Sequence, residues 1–358
     1  QRIATTLINV FGRKNVKWAV CLTGFIVGIA LFYEIGFVLL IPLVFTIAAE
    51  AKIPLLEVGI PMAAALSVTH GFLPPHPGPT AIAIIYNADI GVTLVYGAII
   101  AIPTAIVAGP VFYNFTKGIN PEIPKGLYNP KIFEDHEMPG FGVSVFTALV
   151  PVVLMAASAI AKLALDQSSP VAVALEFLGQ PDMALTISVA IAVYTFGLAR
   201  GKKMDEIMNT VKDAILAIAM ILLIVGAGGA LKQILIDSGV GTYIGTLVAD
   251  ASLSPLVLAW LVAAVIRTAC GSATVAALTA GGIAAPICAA TGANPELMVL
   301  ATGAGSLIFS PPNDPGFWLF KEFFGLTVKE TVRTWCALET IIAIMGLIGV
   351  LVLNTVVA

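Results

Sequence analysis

Charge is what this sequence has least of. Asp, Glu, Lys and Arg together make up 11% of its 358 residues, against roughly a quarter in soluble domains. The formal net charge is only −3 and no basic patch exists, which argues against nucleic acid as a partner. Four cysteines (Cys21, Cys270, Cys288, Cys336) lie far apart among apolar neighbours. That pattern suits buried thiols and suggests neither a disulfide framework nor a metal site. A Gly-x4-Gly-Lys-Ser/Thr loop is missing, so pumping by ATP within this chain is not expected. Gly-x-Ser-x-Gly and His-Glu-x-x-His are missing too, which points away from an enzyme, and nothing calls for a cofactor. No signal peptide stands at the start. The chain opens on Gln1-Arg2-Ile3 without methionine, as if entered mid-protein.

What is present is grease, at 59% of all residues. Ile90–Thr116, Val143–Ala161, Ala214–Leu231 and Thr340–Ala358 carry no charge over bilayer-spanning lengths, a span needing about 20 apolar residues. The expected class is therefore an all-α polytopic membrane protein. Residues 1–17 read as a short amphipathic helix ending in Arg13, Lys14 and Lys17. Trp18–Tyr33 and Ile35–Ala49 are apolar runs separated by Glu34, with Gly36 close by. They fit either one long helix with a charge in its middle or a re-entrant hairpin with Tyr33–Gly36 at its tip; the hairpin is the reading adopted.

Two stretches break the apolar pattern. Phe72–Thr80 holds four prolines and a glycine, and Phe309–Gly316 holds three prolines and a glycine. Proline lacks the N–H and clashes with the preceding turn, so neither stretch continues a helix. Non-helical backbone at membrane depth persists only where protein or a water-filled cavity satisfies it. We therefore expect the two breaks to form the halves of one polar site.

The second half of the chain echoes the first. An offset of about 241 pairs Ile3 with Ile244, Thr5 with Thr246 and Pro54 with Pro295; after dropping four residues, Pro74-Pro75 pairs with Pro311-Pro312. The tip near Glu34 then falls close to Ser272–Thr274. Repeats broken at corresponding positions are the pattern of secondary transporters, whose sites lie between the repeats at mid-membrane. The expected organisation is a first repeat over 1–116, a polar linker over 117–142, connecting spans over 143–203 and a second repeat over 204–358. Lys117–Gly142 and Arg200–Lys203 carry basic residues and are placed on the cytoplasmic side. Residues 204–241 precede the second unit but have no counterpart before the first, so further spans are expected ahead of Gln1. Inversion of the repeats is a hypothesis that alternating access would exploit.

Few residues are left to carry chemistry. Glu34 is the lone acid between Trp18 and Ala49; an ionisable group there costs about 2.5–3.5 kcal/mol on insertion scales and marks a functional site by default. It is read as a proton carrier, with a wetted interfacial carboxylate as the plain alternative. His70 and His76 flank the first break and suit proton coupling, hydrogen bonding to substrate hydroxyls, or satisfaction of loose carbonyls. Asn313 and Asp314 occupy the corresponding place in the second break, open to a cation, a proton, substrate hydroxyls or a helix cap. Arg267 is the candidate clamp for an organic anion, against snorkelling to a headgroup. Ser272 and Thr274, with tip amides, would finish an anion or polyol site, although such residues also pack helices in membranes. Titratable half-sites fit coupled transport better than an anion channel.

Five stretches carry a family resemblance. They are Phe32-Tyr33-Glu34-Ile35-Gly36-Phe37, Pro42-Leu43-Val44-Phe45, His70-Gly71-Phe72-Leu73-Pro74-Pro75-His76-Pro77-Gly78-Pro79, Gly271-Ser272-Ala273-Thr274-Val275-Ala276 and Asn313-Asp314-Pro315-Gly316-Phe317-Trp318. Together they resemble the gluconate permease family, from Gln1 to the C-terminus. The resemblance implies a multi-pass symporter of the bacterial inner membrane that takes up gluconate or a related small organic acid with protons. It implies a dozen or more spans in the complete protein. The wider ion-transporter superfamily suggests two hairpins moving like an elevator against a scaffold. Members with similar motifs carry other acids such as D-serine. The expected partners are thus a small organic acid, protons and the lipid bilayer, with room for a homo-oligomer.

Overall fold

The computed structural model describes residues 2, 12, 15–30, 33–74, 76–122, 138–166, 168–212, 215 and 254–357. Most of the expected helices at 1–17 and 214–231, the pairs Ile3/Ile244 and Thr5/Thr246, and most of the 117–142 linker lie outside the described residues. Among the described residues every regular element is a helix.

The first group comprises α1 (Val16–Ala30), α2 (Tyr33–Ala51), α3 (Leu55–Phe72), α4 (Pro77–Tyr86) and α5 (Ile90–Ile106). The last of these runs on through a π turn at Val107–Val111 to Thr116. Then come α6 (Phe141–Ala164), α7 (Pro170–Leu178) and α8 (Pro181–Ala192). The final group comprises α9 (Pro255–Cys270), α10 (Ala273–Thr291), α11 (Pro295–Gly305), α12 (Pro315–Phe324) and α13 (Val328–Val357). Among the described residues, five stretches are long and apolar enough to cross a membrane: Leu55–Tyr86, Ile90–Thr116, Asp182–Arg200, Ala273–Thr291 and Val328–Val357.

Proline writes most of the helix starts. It forces the residue before it into extended backbone and is tolerated in the first turn, where its missing N–H bonds nothing. His76 (ψ 137), Ser254 (ψ 133), Asn294 (ψ 118) and Asp314 (ψ 128) all obey this rule and precede Pro77, Pro255, Pro295 and Pro315. The same rule shortens the first break. Pro77-Gly78-Pro79 opens α4 rather than extending the irregular stretch, whose described residues are only 73, 74 and 76. The second break is longer, covering residues 306–314, with Phe309 (φ 63) and Ser310 (φ 36) in the left-handed region.

The stretch Phe317–Arg333 is divided between two helices. Gly325 (φ 63) ends α12, and Thr327 with Glu330 forms a reciprocal capping box that starts α13. Both orphan amides at that start are thereby satisfied. Thr327→Ala should lower the stability of the solubilised protein by about 0.5–2 kcal/mol, read as a downward shift in its thermal unfolding midpoint.

Packing sorts the helices by depth. The broken helices α3 and α11 are the most enclosed: the run Val58–Thr69 of α3 and the run Leu297–Gly305 of α11 are buried, as expected for helices apolar all round. α1 and α2 both lie against α3, while α9 and α13 both lie against α11. α4 crosses to the other half and packs on α10 and α11. There the Tyr86 hydroxyl donates to Thr302 Oγ1 at 2.8 Å, since the Thr302 hydroxyl is already spent on Met298 O. The outer helices instead show apolar stripes. Val95, Ile99 and Ile102 on α5 and Ile344, Ile348 and Val352 on α13 are exposed at helical spacing, which suits contact with lipid tails.

Candidate functional site

The two breaks and two helix junctions meet in one polar cluster. Its centre is Arg267, in the last turn of α9 and only 2% exposed, ion-paired through Nη2 with Asp314 Oδ2. Asp314 is the N-cap of α12, and its Oδ1 accepts from Gly316 N at 2.8 Å. Ser310, inside the second break, donates to Asp314 Oδ2 and is itself held by Trp335 Nε1 at 2.6 Å. Both carboxylate oxygens of Asp314 are thus engaged, one of them twice. Asp314 thus caps a helix and pairs with a charge at the same time.

The remaining acids gather round the same arginine. Glu34, in the first turn of α2, is half-buried and within electrostatic reach of Arg267 and Asp314. Glu339, in the middle of α13, is 1% exposed, hydrogen-bonds the Ser67 side chain of α3, and also faces Arg267, Asp314 and Glu34. Three carboxyl groups therefore share the field of Arg267. Tyr33 closes one side, with its ring 4.9 Å from Trp335 and 5.6 Å from Phe37 between ring centroids.

The histidines sit one layer away. His70 ends α3 and meets His76 edge-on at 5.3 Å between centroids. His76 is buried, and its Nε2 donates to the Gly28 carbonyl of α1. His70 also senses the charges of Arg267 and Asp314. A small cavity joins this layer to the α9–α10 junction: its walls include His70, Gly71, Gly78, Pro79, Ala273, Thr274 and Ser306. Ser272 is the N-cap of α10 and accepts from Val275 N at 3.4 Å. Gly271, at φ 67, lies so close to Asn313 that an added Cβ would stand 2.5 Å from the Asn313 carbonyl oxygen. Asn313 itself is exposed.

So the structure brings Glu34, His70, His76, Arg267 and Asp314 into one neighbourhood, with Ser272, Thr274 and Asn313 at its rim. Sequence reasoning missed Glu339, Trp335, Ser310 and Ser67. Glu339 was hidden by its position just ahead of the uncharged run Thr340–Ala358. The helix in fact begins at Val328, so Glu339 stands well inside it. An acid directly abutting a long apolar run is the signal that would have found it. No cluster of three or more His, Cys, Asp or Glu side chains suited to a metal ion occurs among the described residues.

Chemically, the cluster offers donors as well as acids. Arg267 Nε and Nη1 are buried and have no partner among the described residues. Glu339 Oε1 is buried in the same condition. A buried guanidinium with two unspent donors suits an incoming carboxylate, because its fork matches that geometry.

Comparison with known proteins fits this arrangement. Residues 1–356 match the family model described as GntP family permease. The high-affinity gluconate transporter of Escherichia coli (strain K12) is 63% identical over 357 residues, covering 100% of this chain and 82% of that protein. The Gnt-II system L-idonate transporter of the same organism is 56% identical over 356 residues, covering 99% and 81%. The gluconate permease of Bacillus subtilis (strain 168) is 51% identical over 367 residues, covering 100% and 82%. Among solved structures, the Alcanivorax borkumensis YdaH transporter matches with a TM-score of 0.63 at 19% identity, covering 99% of this chain and 80% of that one, a likeness of fold. With the family matched over nearly its whole length and apolar helices of membrane-crossing length, this chain is a multi-pass membrane transporter, not an enzyme, and belongs to the GntP family of permeases.

Proposed function

We propose that the protein imports gluconate or a closely related sugar acid together with protons across the bacterial inner membrane. One observation carries the reading: a buried arginine with unspent donors sits among three carboxyl groups where two interrupted helices meet. The cation suits the substrate carboxylate, and the surplus of acids suits a proton. The relatives named for gluconate and L-idonate support a sugar acid as cargo. Arg267 and the amides at Ser272 and Thr274 take the carboxylate in this reading, while His76 and Asn313 take hydroxyls. Glu34, His70 and Asp314 form the polar route for the proton.

Two repeats organise the site in the same proposal, the first over 1–116 and the second over 204–358, joined by the linker 117–142 and the connecting spans 143–203. The support is the order of elements. In each group two helices meet at a short junction (Ala30 to Tyr33, Cys270 to Ala273), a third helix breaks before a proline-started short one, and a long span with a π turn follows. Each break also lies against the first helix of its own group near that helix's end: His76 bonds Gly28 in the last turn of α1, and Asn313 abuts Gly271 just after α9. Re-entrant hairpins at those junctions, moving against the spans, would give alternating access. The basic loops at Lys117 and Arg200–Lys203 face the cytoplasm in this arrangement.

Uptake of labelled gluconate into proteoliposomes tests the reading. An inward gradient of one pH unit is worth about 1.36 kcal/mol per proton, so one coupled proton supports roughly tenfold accumulation, and a protonophore should abolish it. Equal entry with and without the gradient, without saturation, would instead make the protein an anion channel. Stronger competition by D-serine than by idonate would reassign the cargo to an amino acid.

A further inference from the structure

Asp314 has no spare capacity. It accepts from Arg267, Ser310 and the Gly316 amide, so both of its oxygens are engaged, one of them twice. Glu34 is only half-buried. Glu339 differs from both. It is enclosed, its one hydrogen-bonding partner is the Ser67 hydroxyl, and its Oε1 meets no donor among the described residues. The groups facing it are Arg267 from α9, Asp314 from the second break, Glu34 and Tyr33 from α2, and Cys336 from its own helix. Arg267 supplies one positive charge, and Asp314 has claimed it through direct contact. A second and third ionised carboxylate in the same enclosure would go uncompensated, which buried charges do not tolerate.

We propose that Glu339 is the residue that carries the coupled proton. The step is a simple transfer: the Glu339 carboxylate takes a proton when the site is open to the outer medium, holds it as a neutral carboxyl while the hairpins move and access switches, and returns it when the site is open to the inner medium. Substrate and proton are linked through Arg267. A substrate carboxylate that engages the free Nε and Nη1 donors adds one more negative charge beside Glu339, and so favours its protonated form. Release of the substrate reverses that bias. The proposal rests on the transport reading given above and deepens it at one residue.

The test uses purified protein in proteoliposomes, with labelled gluconate as the probe and two readouts, accumulation driven by a pH gradient and gluconate–gluconate exchange. The unaltered protein is measured first; if it shows neither gradient-driven accumulation nor exchange, the transport reading falls and this proposal with it. With wild-type transport established, Glu339→Gln, which mimics the protonated form at nearly constant volume, should lose the roughly tenfold accumulation per pH unit. Its exchange should persist and become flat across the pH range where wild-type exchange varies. Glu339→Gln that accumulates gluconate as well as the wild type does would overturn the assignment while leaving the transport reading intact. Should the glutamine variant fail to assemble, Glu339→Asp decides. It keeps a carboxyl in a changed setting, so a displaced pH profile of exchange supports the assignment and an unchanged profile overturns it.

Discussion

Arg267→Ala should abolish gluconate uptake and strongly destabilise the protein. Removing one partner of a buried pair strands the other, at a cost of about 3–5 kcal/mol. Here the stranded group is Asp314, which keeps Ser310 and the Gly316 amide but loses its counter-charge. Arg267→Lys should also fail to transport, because a point charge on a flexible stem cannot serve a carboxylate on one side and present a planar fork on the other. The double variant Arg267→Ala with Asp314→Asn separates stability from transport. With both charges gone, the folded fraction after detergent extraction should recover relative to Arg267→Ala, since neighbouring members of one network are not additive. Uptake should not recover, since no cation remains for the substrate. Normal uptake by Arg267→Ala would remove the arginine from the site, and restored uptake in the double variant would show that it acts only by balancing Asp314.

The second large effect is expected at the crossing of the two broken helices. An added Cβ on Gly303 of α11 would stand 2.4 Å from the Gly71 carbonyl oxygen of α3. That obstacle is backbone, so no side chain can swing away. Two residues on, a Cβ on Gly305 would stand 2.2 Å from the Trp260 carbonyl oxygen of α9. α11 is thus held at glycine contact on both flanks, the small-residue packing that lets membrane helices approach closely. Gly303→Ala must push α3 and α11 apart, and overpacking of this kind costs about 1–3 kcal/mol or more. It also displaces His70, Gly71 and Ser306, which wall the cavity beside the site. A fall in the thermal midpoint together with a large loss of uptake is expected. Gly118→Ala is the control, having open space around its Cβ position, and should change neither. Unaltered stability in Gly303→Ala would mean the helices cross less closely than described.

Much of this arrangement was legible beforehand because membranes restrict what a sequence can mean. A charge inside an apolar run and a proline cluster between two such runs have few tolerable explanations. That is why Glu34, His76, Arg267 and Asp314 could be picked out without knowing where any of them lay. Helix starts were partly legible for a similar reason, since proline constrains its predecessor. Within Phe317–Arg333 the helix boundary rests on a glycine stop at Gly325 and a capping box at Thr327 and Glu330, signals only a few residues long. Partnerships were not legible at all. Arg267 and Asp314 are 47 residues apart in the chain, and Trp335 reaches Ser310 across 25.

By itself, then, the sequence determined that the chain is helical, lies in a membrane, breaks twice at proline, and sets a few ionisable groups within or beside its apolar runs. Those outcomes follow from local rules, namely the transfer cost of each side chain and the backbone limits of proline and glycine. The tertiary structure alone decided that Asp314 claims Arg267, that Glu339 joins them from the last helix, and that Gly71 and Gly303 set the distance between the halves. Such choices depend on which surfaces come within a few ångströms of one another, and no window of neighbouring residues contains that information.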